Sequence, residues 1–128
     1  MKVLLDTHVL LWAIGDANKL SRRVRNILED RTNEVFISSA SFWEISTKYR
    51  IGRLPSADQI ITNYETILNE LDSLELSISI RHALTAGLFN TTHRDPFDRI
   101  LAAQSLIENV ALITQDKALS HFPINTIW

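Results

Sequence analysis

The sequence predicts an α/β fold with a mostly parallel sheet of four to five strands and six to seven helices. Three observations carry this. Short apolar runs (KVLL, EVFIS, VALIT) alternate with longer segments of helical periodicity. Parallel strands need long crossovers, and helices of this length supply them. The 128 residues hold only three glycines, three prolines and no low-complexity stretch or repeat, so one domain spanning residues 1–128 is expected.

Taken in order, KVLL is an uninterrupted apolar run and reads as a buried first strand ending at Asp6. THVLLWAIG follows as a helix with Gly15 as its stop. SRRVRNILED opens on a capping serine, Ser21, and sets Val24, Ile27 and Leu28 at helical spacing. EVFIS is β-branched and aromatic, hence a second strand. SASFWEISTKYRIG is a helix closed by Gly52. SADQIITNYETILNELD places Ile60, Tyr64, Ile67, Leu68 and Leu71 on one face of a third long helix. LELSIS alternates and reads as a short strand, and RHALTAGLFN as a helix. PFDRILAAQSLIEN is the clearest helix, with Asp95 as N-cap and Pro96 at the first helical position. VALIT is a strand, and INTIW adds an edge strand.

Composition narrows the function. The absence of cysteine rules out disulfides and cysteine-based zinc sites and fits a reducing compartment. No apolar stretch is long enough to span a bilayer, and MKVLLD is too short for a signal-peptide core, so a cytoplasmic protein with no membrane attachment is expected. A net charge of −2 gives no globally basic surface, although KLSRRVR and KYRIGR are locally basic. There is no GxxxxGK[ST] loop, GxGxxG turn, HExxH or GxSxG elbow, and the four histidines are scattered without ligand spacing.

The acids are more informative. In an open parallel sheet, ligands gather beyond the carboxyl ends of the strands. KVLL runs into Asp6, and VALIT runs into Gln115 and Asp116. Glu44 lies early in the helix after EVFIS, and Asp98 in the first turn of its own helix. Each acid has an ordinary explanation. Asp6 can cap the helix from Thr7, Glu44 can pair with Lys48, Asp98 can complement a helix dipole, and Asp116 can sit in a polar turn. Four at one edge is another matter, because like charges resist ionising together and a divalent cation relieves the conflict. Mg²⁺ and Mn²⁺ take oxygen ligands, and such a site suits attack on a phosphodiester. Thr7 and Thr114, beside the strand ends, can orient carboxylates or close turns.

Four blocks, LLDTHVLLW, SSASFWEISTKYRIGRL, RDPFDRILAAQSL and LITQD, together resemble the PIN-domain ribonucleases of the VapC toxin type over essentially the whole chain. The resemblance implies a three-layer α/β/α sandwich and an endoribonuclease dependent on Mg²⁺ or Mn²⁺. It implies that Asp6, Glu44, Asp98 and Asp116 are the catalytic and metal-binding acids, with Asp95 belonging to a DPFD variant of the motif. It further implies a homodimer and a small antitoxin that occludes the site and binds operator DNA. KYRIGR then becomes a phosphate guide beside the acids. For Phe42 and Trp43, core packing is expected ahead of a dimer or antitoxin contact. Three alternatives stand beside the toxin: an RNA-processing nuclease without an antitoxin, a receiver-like signalling domain, and a non-catalytic binding module, which would leave four acids with no chemistry to do. A receiver would need an aspartate ending the middle strand, where EVFIS instead runs into SSA.

Overall fold

A computed structural model describes residues 1–128. Five strands, β1 (Lys2–Leu5), β2 (Glu34–Ser38), β3 (Ser73–Leu76), β4 (Ala111–Ile113) and β5 (Thr126–Ile127), form one sheet in the order β3-β2-β1-β4-β5. Every neighbouring pair is parallel. The connections carry α1 (Thr7–Gly15), α2 (Arg22–Glu29), α3 (Ser39–Arg50), α4 (Asp58–Thr62), α5 (Tyr64–Glu70), α6 (Ile80–Leu88) and α7 (Pro96–Glu108). Receiver-type sheets follow the order 2-1-3-4-5. The order here excludes that alternative.

Strand parity builds the layers. Side chains alternate across a strand, so successive residues serve opposite cores. Val3 and Leu5 of β1 join Val35, Ile37 and Ile113 beneath Val9, Leu10, Val24, Ile27 and Ile45 of the first three helices. Leu4 and Leu112 turn the other way, toward Leu101 and Ala102 of α7 and Leu119 and Phe122 beyond it. The result is an α/β/α sandwich with a separate apolar core on each face of the sheet.

Two helix ends follow from local chemistry. Gly52 takes φ +80° after α3 while the Arg53 N–H donates to the Lys48 carbonyl at 2.9 Å, closing the helix with a left-handed residue. Asn109 does the same after α7 at φ 53°, with Val110 N–H donating to Ser105 O at 3.1 Å.

Three expectations need correction. The single helix expected over SADQIITNYETILNELD is three pieces: a 3-10 turn at Pro55–Ala57, then α4, then α5. The break falls at Asn63, whose side chain donates to Gln59 Oε1 at 3.1 Å. Thr62 and Asn63 are weak helix formers, so packing against α3 overrides a continuous repeat there. The strand expected over LELSIS covers only Ser73–Leu76. Its ladder ends where β2 ends, at Ser38 opposite Leu76, and Ser79 caps α6 instead. Trp43 is not core: 54% of it is exposed. No helix is long and apolar enough to cross a membrane.

Candidate active site

The sheet order turns back between β1 and β4. β2 and β3 lie to one side of β1, and β4 and β5 to the other. Ligands in open α/β sheets bind beyond the strand ends at such a reversal. Asp6 follows β1 there, and Thr114 to Asp116 follow β4. Extending the Leu5–Ile113 register by one residue sets Asp6 opposite Thr114. The Thr114 hydroxyl donates to Asp6 Oδ2 at 2.6 Å, and the Asp6 N–H donates to Ile113 O at 3.0 Å. Asp6 makes no side-chain cap to α1. Its carboxyl faces the strand end instead of the helix.

Glu44 arrives by a different route. β2 runs into α3 without a loop, and Ser38 caps that helix through Ala40 N–H at 3.0 Å. Thr7 donates to Ser41 Oγ at 3.0 Å inside the core. This ties the start of α1 to the α3 face that carries Glu44 three residues on. Glu44 is buried and its Oε2 accepts from Lys48 Nζ at 2.6 Å.

Asp98 is set by the entry to α7. Asp95 Oδ1 accepts from Phe97 N–H at 2.9 Å and Asp98 N–H at 3.3 Å, so Asp95 starts the helix, as its place before Pro96 suggests. Asp98 is then free to face the sheet edge, where His93 Nε2 meets its Oδ2 at 2.8 Å. The loop before α7 is pinned by Arg99, whose guanidinium donates to the carbonyls of Ala86 at 2.8 Å, Phe89 at 2.7 Å and His93 at 2.8 Å.

The electrostatics link three of the acids. Burial pushes the Asp6 carboxyl above its usual range; the Thr114 bond and the His8 charge oppose this, and the Glu44 charge adds to it. Burial also pushes Asp98 up, to about 6, against the His93 bond, with the Asp95 and Asp6 charges adding to the rise. Asp6 thus feels the Glu44 carboxylate on α3, and its own charge reaches Asp98 on α7. Asp116 joins from the other side: Asp6, His8, Trp12, Gln115 and Asp116 line one cleft of about 320 Å³. Asp116 Oδ1 also accepts from Ala118 N–H at 2.9 Å, capping the 3-10 turn Lys117–His121.

The structure thus brings Asp6 near Glu44 and Asp98, and sets Asp6 and Asp116 around one cleft. It does not gather any three acidic or histidine side chains closely enough to close on one ion. Lys48 and His93 hold the carboxyls of Glu44 and Asp98. Of KYRIGR, only Lys48 reaches the acids by a salt bridge; Arg50 and Arg53 are exposed further along the chain. Sequence reasoning missed His93 and Arg99. His93 lies five residues before Asp98, across a turn whose course the sequence does not fix. Arg99 binds backbone carbonyls, which leave no trace in side-chain patterns.

A five-stranded parallel sheet with acids at its reversal point defines an open α/β protein with its candidate site beyond the strand ends. The PIN domain family model matches residues 3–125, and the chain belongs to that family. It is 23% identical over 117 residues to Ribonuclease VapC22 of Mycobacterium tuberculosis (strain ATCC 25618 / H37Rv), covering 91% of this chain and 88% of that protein. Among solved structures it superposes on VapBC2 from Rickettsia felis bound to a DNA fragment from their promoter, with a TM-score of 0.71 at 16% identity, over 99% of this chain and 98% of that one. DNA-bound VapBC from Salmonella typhimurium gives 0.68 at 17% identity, over 99% and 97% of the two chains.

Proposed function

We propose that this chain is a divalent-metal-dependent endoribonuclease and the toxin of a type II toxin–antitoxin pair. The observation that carries the proposal is Asp6: buried at the sheet reversal of a PIN domain, electrically coupled to Glu44 and Asp98, and facing Asp116 across a cleft. A ribonuclease among its relatives and VapBC bound to promoter DNA among its structural neighbours support the same reading, including an antitoxin partner and operator DNA bound through that antitoxin.

The donor set suits Mg²⁺ or Mn²⁺, since all four candidate ligands are carboxylates and hard divalent ions select oxygen. Asp6, Glu44, Asp98 and Asp116 would form the catalytic set; because no three of them close on one point, one or two would bind the ion directly and the others through its waters. When bound, such an ion polarises a phosphoryl oxygen and makes water a stronger nucleophile at neutral pH. The chain's own groups do the positioning. Thr114 fixes one oxygen of Asp6 and leaves the other for the ligand. His93 orients Asp98 through Oδ2, and Asp95 orients the helix that carries it. Lys48 offsets the charge of Glu44 and lowers the repulsion that a phosphodiester would meet.

Digestion of total RNA with added Mg²⁺ or Mn²⁺, with and without EDTA, tests this directly. Discrete cuts that vanish on chelation are expected. RNA left intact, or cleavage indifferent to EDTA, would refute the proposal. Genome context tests the toxin role: a short reading frame beside this one should encode a protein that suppresses the cleavage.

A further inference from the structure

The cleft that Asp6 and Asp116 border has a second kind of wall. His8, Trp12 and Gln115 complete its lining, and the cleavage chemistry makes no use of them. His8 and Trp12 lie one turn apart on one face of α1, with ring centroids 6.0 Å apart at 46°. Trp128, just past β5, braces Trp12 edge to face at 5.8 Å and 62°. Trp12 is half-buried: it packs on the core and still borders the cleft. His8 is exposed.

Gln115 follows Thr114 and precedes Asp116, and its backbone is fixed on both sides. The Thr114 N–H donates to the Ile127 carbonyl at 3.1 Å. The Thr114 hydroxyl, which donates to Asp6, also accepts from the Asp116 N–H at 3.0 Å. One hydroxyl thus sets Asp6, Gln115 and Asp116 in a common frame. The Gln115 side chain is left exposed at the cleft, and its amide carries donors and an acceptor side by side.

These walls match the two parts of a nucleotide. The acids, with the ion that the ribonuclease reading gives them, take the phosphate. The rings and the amide suit a flat heterocycle with a polar edge, since unstacked bases are held on aromatic or histidine rings and read by hydrogen bonds along their edges. A glutamine amide pairs two-pronged with adenine, whose donor and acceptor are adjacent. The cleft, at about 320 Å³, falls within the range of small-ligand sites.

Resting on the ribonuclease reading, we infer that this cleft seats one base beside the cut, with Trp12 and His8 against its face and Gln115 at its edge, so that Gln115 sets a preference for adenine there. Trp12 and His8 hold any base; Gln115 chooses among them. Gln115 is a specificity-determining residue and takes no part in bond cleavage.

The test uses the full chain and short RNAs spanning a mapped cut site, identical but for A, C, G or U at each flanking position in turn. At one position the wild-type chain should favour A by about 5- to 100-fold in kcat/KM, the discrimination a two-pronged contact supplies. Gln115→Leu should flatten that preference and spare those at other positions. Trp12→Leu should instead raise KM about 5- to 100-fold for all four bases alike, and Trp12→Phe should recover most of the loss. Gln115 is exposed, so its variant tests the inference even if Trp12→Leu fails to fold. No base preference beside the cut, a preference for another base, or an adenine preference that survives in Gln115→Leu overturns the inference. So does a Gln115→Leu chain altered only in its binding of an antitoxin. If the wild-type chain cleaves no RNA, the ribonuclease reading fails separately. Anisotropy of labelled oligo-A, oligo-C, oligo-G and oligo-U then decides: tighter binding of oligo-A that Gln115→Leu abolishes supports the edge contact, and equal binding or a persistent preference overturns it.

Discussion

Asp98→Asn should make the protein more stable at neutral pH while abolishing RNA cleavage. Asp98 is held at about 6 in the folded chain against an ordinary 3.8. The folded state thus binds this proton more tightly than the unfolded state does. Ionising Asp98 costs nothing below about pH 4, and the cost is complete above about pH 6. An interval of about 2 pH units sets a ceiling of ~3 kcal/mol. The side chain is 16% exposed, so solvent screening brings the expected penalty down to about 1–2 kcal/mol. Asparagine keeps the shape and can still accept a hydrogen bond from His93, but it never ionises. Its Tm should exceed that of the wild type by about 4–8 °C at pH 8. The gap should close as pH falls toward 4. Saturating Mg²⁺ should narrow it too, because an ion that binds only the folded wild-type site stabilises that protein by mass action. Thermal melts of both proteins from pH 4 to 8 measure all of this. A variant that melts below the wild type at pH 8, or a gap that ignores pH, would refute the argument that burial and neighbouring charge set the Asp98 proton.

Three other perturbations probe the same edge. Thr114→Val keeps the volume but removes the hydroxyl from Asp6 Oδ2, so cleavage should fall about 10- to 100-fold with the fold retained by circular dichroism. Arg99→Met strips three short hydrogen bonds from carbonyls of the loop before α7, and should lower stability by about 2–4 kcal/mol in urea melts while speeding amide exchange around His93. Lys48→Met leaves buried Glu44 without its ammonium partner, costing about 1–2 kcal/mol, and the rise in Tm on adding Mg²⁺ should then be larger than in the wild type.

Most of the architecture was legible because it rests on local rules. KVLL, EVFIS and VALIT are strands because they are short, apolar and bounded, and they begin and end close to where the pattern places them. Ser21 and Asp95 start helices and Gly52 closes one, as their chemistry dictates. The α4–α5 break was not legible, since the repeat Ile60, Tyr64, Ile67, Leu68, Leu71 fits one straight helix equally well. Packing against α3 decided against it. Trp43 shows the same limit. A tryptophan beside a core phenylalanine reads as core, and only the crossing of α3 with α7 leaves it outward against Phe97.

By itself the sequence determined the alternation of strands and helices, the acids at the ends of the strands, and the caps that aim them. Those depend on residues a few positions apart. The order β3-β2-β1-β4-β5, the hydrogen bond from Thr114 to Asp6 across 108 positions, and the grip of Arg99 on the loop that carries His93 belong to the tertiary structure alone. The physical reason is range. Capping and periodicity act within a turn or two, whereas strand order and carboxylate coupling depend on which distant segments the two cores press together.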